Sequence, residues 1–178
     1  MIDQISSKRN TGSGALLASD TFSQSAGDWK RWSSKQYSNQ GQLTSSRVYF
    51  SIPSSGTGSS GTNYDQTDYG YDALERQNRV ATPGGTITRT VWTAPQRVAS
   101  VWVGTNDTGA TDSDPTGGGA AGNNMVMVTE NQYDGGSDQG DGNLTQVTAY
   151  AAASDTRVTL YGYDFRDRRT SGKMFSLL

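Results

Sequence analysis

Two stretches of the sequence, YGYDALERQNRV at 69–80 and YGYDFRDRRTSG at 161–172, share the pattern Tyr-Gly-Tyr-Asp-x-x-x-Arg and begin 92 residues apart. In an extended chain, tyrosines two positions apart lie on one face of a strand, about 7 Å from each other, where they can pack against a neighbouring hairpin. The aspartate that follows accepts a backbone N–H and starts a turn, and an arginine four positions later can pair with its carboxylate or stack on a tyrosine. The pattern therefore predicts a strand, a tight turn and a second strand, twice in one chain.

A second internal similarity precedes each copy of this pattern. QYSNQGQLTSSRVY (36–49) and QYDGGSDQGDGNLTQVTAY (132–150) both have Gln-Tyr before a turn and Gly-x-Leu-Thr after it, with five additional residues in the second turn. The same order in both halves indicates two repeat units of two hairpins each, and neighbouring hairpins must bury one another because a lone hairpin is marginally stable. The motif residues to which we assign this structural role are Tyr69, Tyr71, Asp72, Arg76, Tyr133, Asp134, Gly142, Leu144, Tyr161, Tyr163, Asp164 and Arg168.

The rest of the pattern favours an all-β fold. No segment shows a sustained 3.6-residue period, whereas short alternating runs separated by turn residues recur from Leu43 onwards. The run RVATPGGTITRTVWTAPQRVASVWV (79–103) is typical of a meander of three short strands, with turns at 83–85 and 93–96. We therefore predict short antiparallel hairpins throughout.

Four parts of the chain are distinguished by composition and pattern. Residues 1–35 are polar and aperiodic, and we expect them to be poorly ordered. Residues 36–103 form a first repeat unit that includes the meander, and 104–124 form a glycine- and aspartate-rich loop or linker. Residues 125–178 form a second, truncated unit.

The composition argues against several kinds of site. The 178 residues include no Cys and no His, so disulfides, thiolate nucleophiles, Ser-His-Asp arrangements and histidine zinc ligands are excluded. A net charge of −2 without a clustered basic face argues against nucleic-acid binding. No stretch has the ~18 apolar residues of a membrane span, and no apolar run near the start is typical of a signal peptide. We expect a non-enzymatic protein without cofactor or metal, and the sequence leaves its compartment open.

The Tyr-x-Tyr-Asp-x-x-x-Arg pattern, together with the Tyr-Asp…Gly-Asn-Leu-Thr run at 133–145, resembles the YD repeat of the Rhs family over roughly 36–178. Family repeats usually read Tyr-Asp-x-x-Gly-Arg-Leu, whereas Glu75 and Asp167 stand here in place of the glycine, and Gln77 and Arg169 in place of the leucine. The resemblance implies many short strands that spiral into a hollow β-shell, which in family members often encloses a C-terminal toxic or variable segment.

The resemblance also implies a large protein that is secreted or displayed at the cell surface, and some family repeats have been linked to carbohydrate binding. Because a shell needs many repeats and this chain holds about two units, we expect a fragment that stops at Leu178, soon after the second motif. Open sheet edges would then pair with missing shell segments or with a second copy. Carbohydrate is a further candidate partner.

Two acidic patterns have an alternative chemical interpretation. The oxygen-rich turn at 133–143 would suit calcium, with ligands from Asp134, Asp138, Asp141 and Asn143, although the spacing matches no EF-hand. The carboxylate pairs Asp72/Glu75 and Asp164/Asp167 would suit glycosidase chemistry if two of them met at a groove. Ordinary turn capping and ion pairing within the repeat is the favoured interpretation of both.

Aromatic faces can also stack on sugars, and the candidates are Trp29, Trp32, Trp92, Trp102 and the repeat tyrosines. Packing between hairpins is the favoured role for these rings. The leading hypothesis is therefore a non-enzymatic structural repeat module. The alternative is a cell-surface carbohydrate-binding or adhesion module, and a carboxylate-based hydrolase comes third.

Overall fold

The computed structural model describes residues 1–10, 21, 23–93, 96–136, 140–152 and 155–177. Within these ranges the chain forms eleven β-strands and two short 3-10 turns, at Ala26–Asp28 and Asp134–Gly136. The strands are β1 (Ile2–Ser7), β2 (Trp29–Tyr37), β3 (Leu43–Tyr49), β4 (Tyr64–Tyr71), β5 (Gln77–Ala81), β6 (Ile87–Thr93), β7 (Arg97–Gly104), β8 (Val126–Tyr133), β9 (Leu144–Ala152), β10 (Asp155–Tyr163) and β11 (Arg169–Leu177).

Strand order follows chain order in an antiparallel sheet that is not closed. The prediction of an all-β fold of short antiparallel hairpins is thereby confirmed. Most strands are half-buried along both faces, as expected from a sequence that alternates threonine, serine and valine and has few long apolar runs. None of the described residues belongs to a helix long and apolar enough to cross a membrane.

By compactness the chain divides into two units, residues 1–70 with 80–85 and residues 71–79 with 86–178. The first unit contains an aromatic core in which Trp32, Tyr49 and Tyr64 are each less than a tenth exposed. The ring of Trp32 stacks on that of Tyr49 at 3.8 Å, and Tyr49 contacts Tyr64 at 5.0 Å. The rings come from adjacent strands, where side chains directly opposite each other project from one face. Aromatic rings thus supply the apolar area that the few aliphatic residues do not.

Within residues 1–35, which the sequence led us to expect to be poorly ordered, the described part includes two strands. Strands β1 and β2 pair antiparallel there, with Ile5 opposite Trp32. The indole N–H of Trp32 donates to Asp3 at 3.1 Å. The polar, aperiodic sequence concealed β1 because this strand packs against an aromatic partner and has few apolar residues of its own. The range 11–20 and position 22 lie outside the described residues.

The second unit has a small and partly polar core. Among its described residues, the large apolar side chains of Ile87 and Met125 are less than a tenth exposed, and the polar residues Asn78, Ser100 and Thr148 are buried as well. Strands β6 to β11 pair in sequence, each antiparallel to the next. The predicted meander is present in β6 and β7, and the turn predicted around Pro95 falls partly on positions 94–95, outside the described residues.

The stretch predicted as a loop or linker, 104–124, contains the last residue of β7 and a loop that stays within the second unit. Hydrogen bonds between the loop's own side chains and its backbone order this loop. Oδ1 of Asn124 accepts the N–H groups of Thr105 and Asn106 at 2.8 and 2.7 Å, and Asp114 carries out the same role for the residues that follow it. Side chains that cap their neighbours in this way order a glycine-rich loop without an apolar run.

Candidate functional site: the repeat turns

The first Tyr-Asp motif forms the turn between β4 and β5. The N–H of Asp72 donates to the carbonyl of Arg76 at 2.9 Å, and Oδ1 of Asp72 accepts the N–H groups of Leu74 and Arg76, each at 2.9 Å. The other carboxylate oxygen accepts Nε of Arg76 at 2.7 Å and contacts its Nη2 at 2.7 Å. One carboxylate therefore satisfies the backbone donors of the turn and fixes the arginine in a two-pronged contact.

The second motif repeats this geometry between β10 and β11. The N–H of Asp164 donates to the carbonyl of Arg168 at 3.0 Å, and its Oδ1 accepts the N–H groups of Arg166 and Arg168 at 2.9 and 3.1 Å. Oδ2 accepts Nε of Arg168 at 2.8 Å and lies 2.7 Å from its Nη2. The two motifs that are alike in sequence are thus alike in every hydrogen bond of the turn.

The longer turn between β8 and β9 keeps the geometry with a different arginine. The N–H of Asp134 donates to the carbonyl of Asn143 at 2.8 Å, and its Oδ1 accepts the N–H groups of Asn143 and Gly142, each at 2.9 Å. Asn143 stands where the other turns have arginine, and Arg97 of β7 supplies the guanidinium, 3.3 Å from Oδ2 of Asp134. Arg97 also lies 5.4 Å from the ring centre of Tyr133. The pairing is preserved although its spacing along the chain is not.

Two further turns, whose positions the sequence predicted, have a related form. The N–H of Ser38 donates to the carbonyl of Gln42 at 2.8 Å, and its hydroxyl accepts the N–H of Gln42 at 3.2 Å. Between β5 and β6, the N–H of Gly85 donates to the carbonyl of Thr82 at 2.9 Å, as that of Gly41 does to Ser38 at 3.1 Å. In both turns a serine or threonine occupies the aspartate position, and glycine follows three residues later.

Each of these turns contains a left-handed position at corresponding places, and the longer turn between β8 and β9 has three more, at Asp134, Gly135 and Gly136. The values of φ at the corresponding places are 84° at Gly41, 64° at Glu75, 81° at Gly85, 87° at Gly142 and 58° at Asp167. Only glycine adopts this conformation without a steric penalty at Cβ. Glu75 and Asp167 therefore occupy positions where the backbone conformation favours glycine, the residue that stands there in the YD repeat that the motif resembles.

Two motif tyrosines connect neighbouring strands through their hydroxyl groups. The hydroxyl of Tyr133 donates to the carbonyl of Val98 at 3.2 Å, and that of Tyr163 donates to the carbonyl of Leu144 at 2.9 Å. Leu144 also stands opposite Tyr133 in the register of β8 and β9. These half-buried rings thus have a polar tip that is satisfied by the backbone of an adjacent strand.

The remaining motif tyrosines lie at strand ends. Tyr69 and Tyr71 are half-buried at the end of β4. The ring of Tyr161, in β10, lies under the guanidinium of Arg169, which is 5.4 Å from its centre. The motif rings therefore occupy intermediate positions, and among the described residues the most buried rings are those of the first unit.

The two arginines of the Tyr-Asp motif differ in what surrounds them. Arg76 donates through Nη1 to the carbonyl of Thr93 at 2.9 Å and lies 5.5 Å from the ring centre of Trp92. The side chains of Asp72 and Arg76 are 5% and 18% exposed, whereas those of Asp164 and Arg168 are 20% and 68% exposed. The same local turn therefore has a largely buried ion pair at Asp72–Arg76 and an arginine that is largely exposed to solvent at Asp164–Arg168.

Both motif carboxylates have a pKa below the ordinary value. At Asp72 burial is the largest influence and raises the pKa, but the backbone and side-chain hydrogen bonds from Arg76 and the N–H of Leu74 together outweigh it. At Asp164 the largest influence is the hydrogen bond from the Arg168 side chain, which lowers the pKa. Both groups are held in the charged form, which suits a structural ion pair better than a proton donor.

The sequence did not single out Asp107, which follows β7 and joins residues far apart in the chain. Its Oδ2 accepts Nε of Arg79 and Nε of Arg89, each at 2.7 Å, and Oδ1 lies 3.2 Å from Nη2 of Arg79. The hydrogen bond from Arg79 is the largest influence on the pKa of Asp107, burial opposes it, Arg89 adds to it, and the pKa falls to about 2. Arg79 and Arg89 lie 28 and 18 positions before Asp107, so no short-range sequence pattern indicated these pairs.

In the described residues, two of the side chains proposed as calcium ligands are engaged in other contacts. The carboxylate of Asp134 is occupied by two backbone N–H groups and Arg97, and Asn143 donates its side-chain N–H to Asp167 at 2.7 Å. Asp138 lies outside the described residues. Within the part of the chain that the structure describes, no three His, Cys, Asp or Glu side chains are grouped so as to hold a metal ion.

The carboxylate pairs proposed for hydrolysis are used by the turns themselves. Asp72 and Asp164 each hold an arginine and backbone N–H groups, as described above. Glu75 and Asp167 are exposed members of the same turns. Neither Asp72 nor Asp164 has the raised pKa of a general acid.

The four tryptophans have different surroundings. Trp29 packs edge-on against Trp32 at 4.9 Å in the first unit. Trp92 lies under Arg76, and Trp102 donates its indole N–H to Ser100 at 2.8 Å. Trp102 also lines an open apolar groove of about 440 Å³ in the second unit, together with Met125, Val126, Met127, Val128 and Tyr150.

Comparison with known proteins gives a likeness of fold. No family model matches the chain, and no curated protein matches it. The chain is similar to part of the crystal structure of TcdB2-TccC3-Cdc42, with 13% sequence identity and a TM-score of 0.52 over 83% of this chain and 7% of that one. A crystal structure of TcdB2-TccC3-TEV is matched at 12% identity, with a TM-score of 0.37 over 83% of this chain and 8% of that one. The chain therefore shares an all-β fold with a short stretch of a much longer protein.

Proposed function

We propose that the chain is a non-enzymatic structural repeat module, a stretch of the wall of an Rhs/YD-repeat β-shell. The observation that carries the proposal is the recurrence of one turn geometry at Asp72, Asp134 and Asp164, in which each carboxylate is used for backbone N–H groups and an arginine. In such a motif the charged side chains serve to stabilise a turn, and a wall of stacked hairpins requires stable turns.

The topology supports the same proposal. Strands follow one another in chain order and the sheet is not closed, so further hairpins can be added at its edges without rearrangement. The chain also matches 7% of the length of the TcdB2-TccC3-Cdc42 chain, which fits a module of a larger assembly. On this proposal its partners are adjoining shell segments or a second copy, and the enclosed toxic or variable segment belongs to the whole protein.

The absence of His and Cys supports a non-enzymatic role. A hydrolase would then depend on carboxylates, and catalysis needs one of them protonated near neutral pH. The lowered pKa values of Asp72, Asp107 and Asp164 oppose that requirement. Structural use of these groups accounts for their partners without any reaction.

The experiment that tests the proposal has two parts. The coding DNA is read on both sides of these 178 codons, and the natural product that contains them is isolated and imaged by electron microscopy. Further Tyr-x-Tyr-Asp units and a closed shell whose wall includes this sheet are expected. A product without further repeats that forms a small particle with no enclosed space would overturn the proposal.

Carbohydrate binding or adhesion is the second candidate, favoured by the groove in the second unit. Trp102 and Tyr150 are half-buried on its wall, and the Tyr150 hydroxyl is fixed by Glu130 at 2.8 Å. Rings held in place beside an open groove suit stacking on a sugar. Glycan-array binding by the folded chain that is lost in Trp102→Ala and retained in Trp92→Ala would favour this candidate. Absence of binding across the array would remove it.

A further inference from the structure

Strands β5 and β11 occupy equivalent places in the repeat. Each follows a turn in which an aspartate binds the arginine four residues later, at Asp72–Arg76 and Asp164–Arg168. Each begins with the residue directly after that arginine, Gln77 in β5 and Arg169 in β11. What contacts the start of β5 therefore indicates what fits against the start of β11.

The end of β6 covers the Asp72 turn through two consecutive residues. The carbonyl of Thr93 accepts Nη1 of Arg76 at 2.9 Å, and the ring of Trp92 lies 5.5 Å from the guanidinium carbon. The indole N–H of Trp92 donates to the carbonyl of Gln77 at 3.2 Å. An aromatic residue followed by one further residue thus provides a ring, a donor and an acceptor, all directed at the turn and the first residue of β5.

The Asp164 turn has the same groups without this cover. The side chain of Arg168 is 68% exposed, and no described residue presents to it a ring or a backbone carbonyl of this kind. Among the described residues β11 pairs only with β10, and its side chains from Arg169 to Ser176 are all exposed. In an antiparallel strand of nine residues, about half of the backbone N–H and C=O groups point away from the existing partner.

We propose that β11 and the Asp164–Arg168 turn form a strand-docking site for an antiparallel β-strand that ends in an aromatic residue and one further residue, as β6 does. The backbone of that strand pairs with the outer edge of β11. Its aromatic ring lies over Arg168, its last carbonyl accepts from the guanidinium, and an indole N–H reaches the carbonyl of Arg169. The occupant is therefore chosen by chemistry at the turn as well as by the edge.

This inference rests on the proposed function in taking the occupant to be a strand of the repeat type. It adds which end of that strand is recognised and by which side chain. An edge that accepted any extended segment would need only main-chain hydrogen bonds, and Arg168 would then make no difference.

A peptide that copies β6 tests the site. The probe is residues 86–93, TITRTVWT, with an acetylated start and an amidated end so that the carbonyl of Thr93 remains an amide acceptor. Its binding to the full chain is measured by calorimetry, and amide hydrogen exchange locates the protected strand. Saturable binding with protection of β11 is expected, and replacement of tryptophan by alanine in the peptide should weaken it about tenfold.

Variants of the chain separate the turn from the edge. Arg168→Ala should weaken binding of the original peptide about tenfold. It should change the affinity for the alanine-substituted peptide little, because the lost contact is the one between the tryptophan ring and the guanidinium. Arg166→Ala is the matched control, since Arg166 belongs to the same exposed turn and lies 5.0 Å from the ring of Phe165 instead. It should bind as the unaltered chain does, and circular dichroism checks that each variant is folded.

The following results would overturn the proposal. They are no binding to folded protein, binding that is indifferent to both Arg168→Ala and the tryptophan replacement, and protection that appears on β5 with exposure of β6. A chain that pairs β11 with a second copy and takes up no peptide would count against it equally. None of these bears on whether the natural product forms a shell, so the proposed function and this inference fail by different results.

Discussion

The Asp72–Arg76 and Asp164–Arg168 turns are the same structure in two surroundings. Their hydrogen bonds agree one by one, and the guanidinium contacts differ by 0.1 Å or less, at 2.7 and 2.8 Å through Nε. Arg76 is 18% exposed and meets Trp92 and Thr93, whereas Arg168 is 68% exposed. The turn therefore forms from its own five residues, and at Asp72–Arg76 it is covered by the end of β6, the strand that follows β5.

Burial changes what the ion pair contributes. Around Asp72 the loss of water opposes the charge, so its partners must be retained for the buried carboxylate to be tolerated. Around Asp164 water still screens the pair, and pairs of that kind contribute little to stability. The comparison predicts unequal consequences for equal substitutions.

The largest expected effect is the difference between Asp72→Ala and Asp164→Ala. Asp72→Ala leaves Arg76 unpaired in a covered site and removes the acceptor for two backbone N–H groups, so we expect a loss of about 3 kcal/mol in unfolding free energy. Asp164→Ala should lose clearly less, because water replaces the carboxylate. Urea unfolding followed by tryptophan fluorescence measures both.

A control separates charge from turn geometry. Asp72→Asn keeps an oxygen for the backbone N–H groups and loses the charge, so its effect should lie between those of the unaltered chain and Asp72→Ala. Equal losses for the two alanine variants would show that the cover by β6 is irrelevant to the energy of the turn.

The next effect concerns Asp107, which forms the same kind of pair over a long separation instead of within a turn. Its pKa of about 2 lies below the ordinary 3.8. Because the folded state lowers the pKa, this carboxylate contributes stability that is complete above about pH 4 and is lost as the pH falls towards about 2. The contribution is about 2 kcal/mol.

Asp107→Asn should therefore be less stable than the unaltered chain at neutral pH, and the two should converge near pH 2. Thermal unfolding across this range measures the convergence. A constant difference at every pH would mean that the ionised form of Asp107 is not what holds Arg79 and Arg89.

A smaller effect of opposite sign is expected at the left-handed positions. Glu75→Gly relieves a backbone with φ of 64° and should stabilise the chain by about 0.5 to 1 kcal/mol. Asp167→Gly should gain less, because it also removes the acceptor of the Asn143 side chain. Glu75→Ala, measured in the same thermal scans, keeps the strain and should show no gain. Destabilisation by Glu75→Gly would contradict the assignment.

The smallest effect is the response of the two ion pairs to salt. In double-mutant cycles, the coupling between Asp164 and Arg168 should fall towards zero in about 1 M NaCl, where charges are screened beyond about 3 Å. The coupling between Asp72 and Arg76 should keep most of its value because both side chains are covered. Equal salt sensitivity at the two turns would mean that their exposure does not differ in solution.

Several features were open to prediction from the sequence, and others were not. The doubled Tyr-Gly-Tyr-Asp-x-x-x-Arg pattern predicted strand, turn and strand, because its hydrogen bonds close within five residues. The strand β1 was missed because its side chains are polar and its packing comes from Trp32, 27 positions after Ile5. The turn after Tyr37 was predicted, but its capping side chain, Ser38, was not singled out because serine replaces the expected aspartate.

Partner choice was the least predictable property of the candidate site. Nothing near Asp134 in the sequence indicates Arg97, which takes the place that Arg76 and Arg168 occupy in their own turns. Nothing near Asp107 indicates Arg79 and Arg89. These pairs depend on which strands lie side by side, and that is a property of the register.

The sequence by itself determined that the chain is all-β, where the two principal turns lie and which arginine is within reach of each aspartate there. These follow from steric limits on the backbone and from hydrogen bonds between residues at most four positions apart. The tertiary structure alone decided that Arg76 is covered and Arg168 is open. That difference arises because burial of the turn depends on a strand that pairing across the sheet places beside it. The local sequence of the turn does not indicate whether such a strand is present.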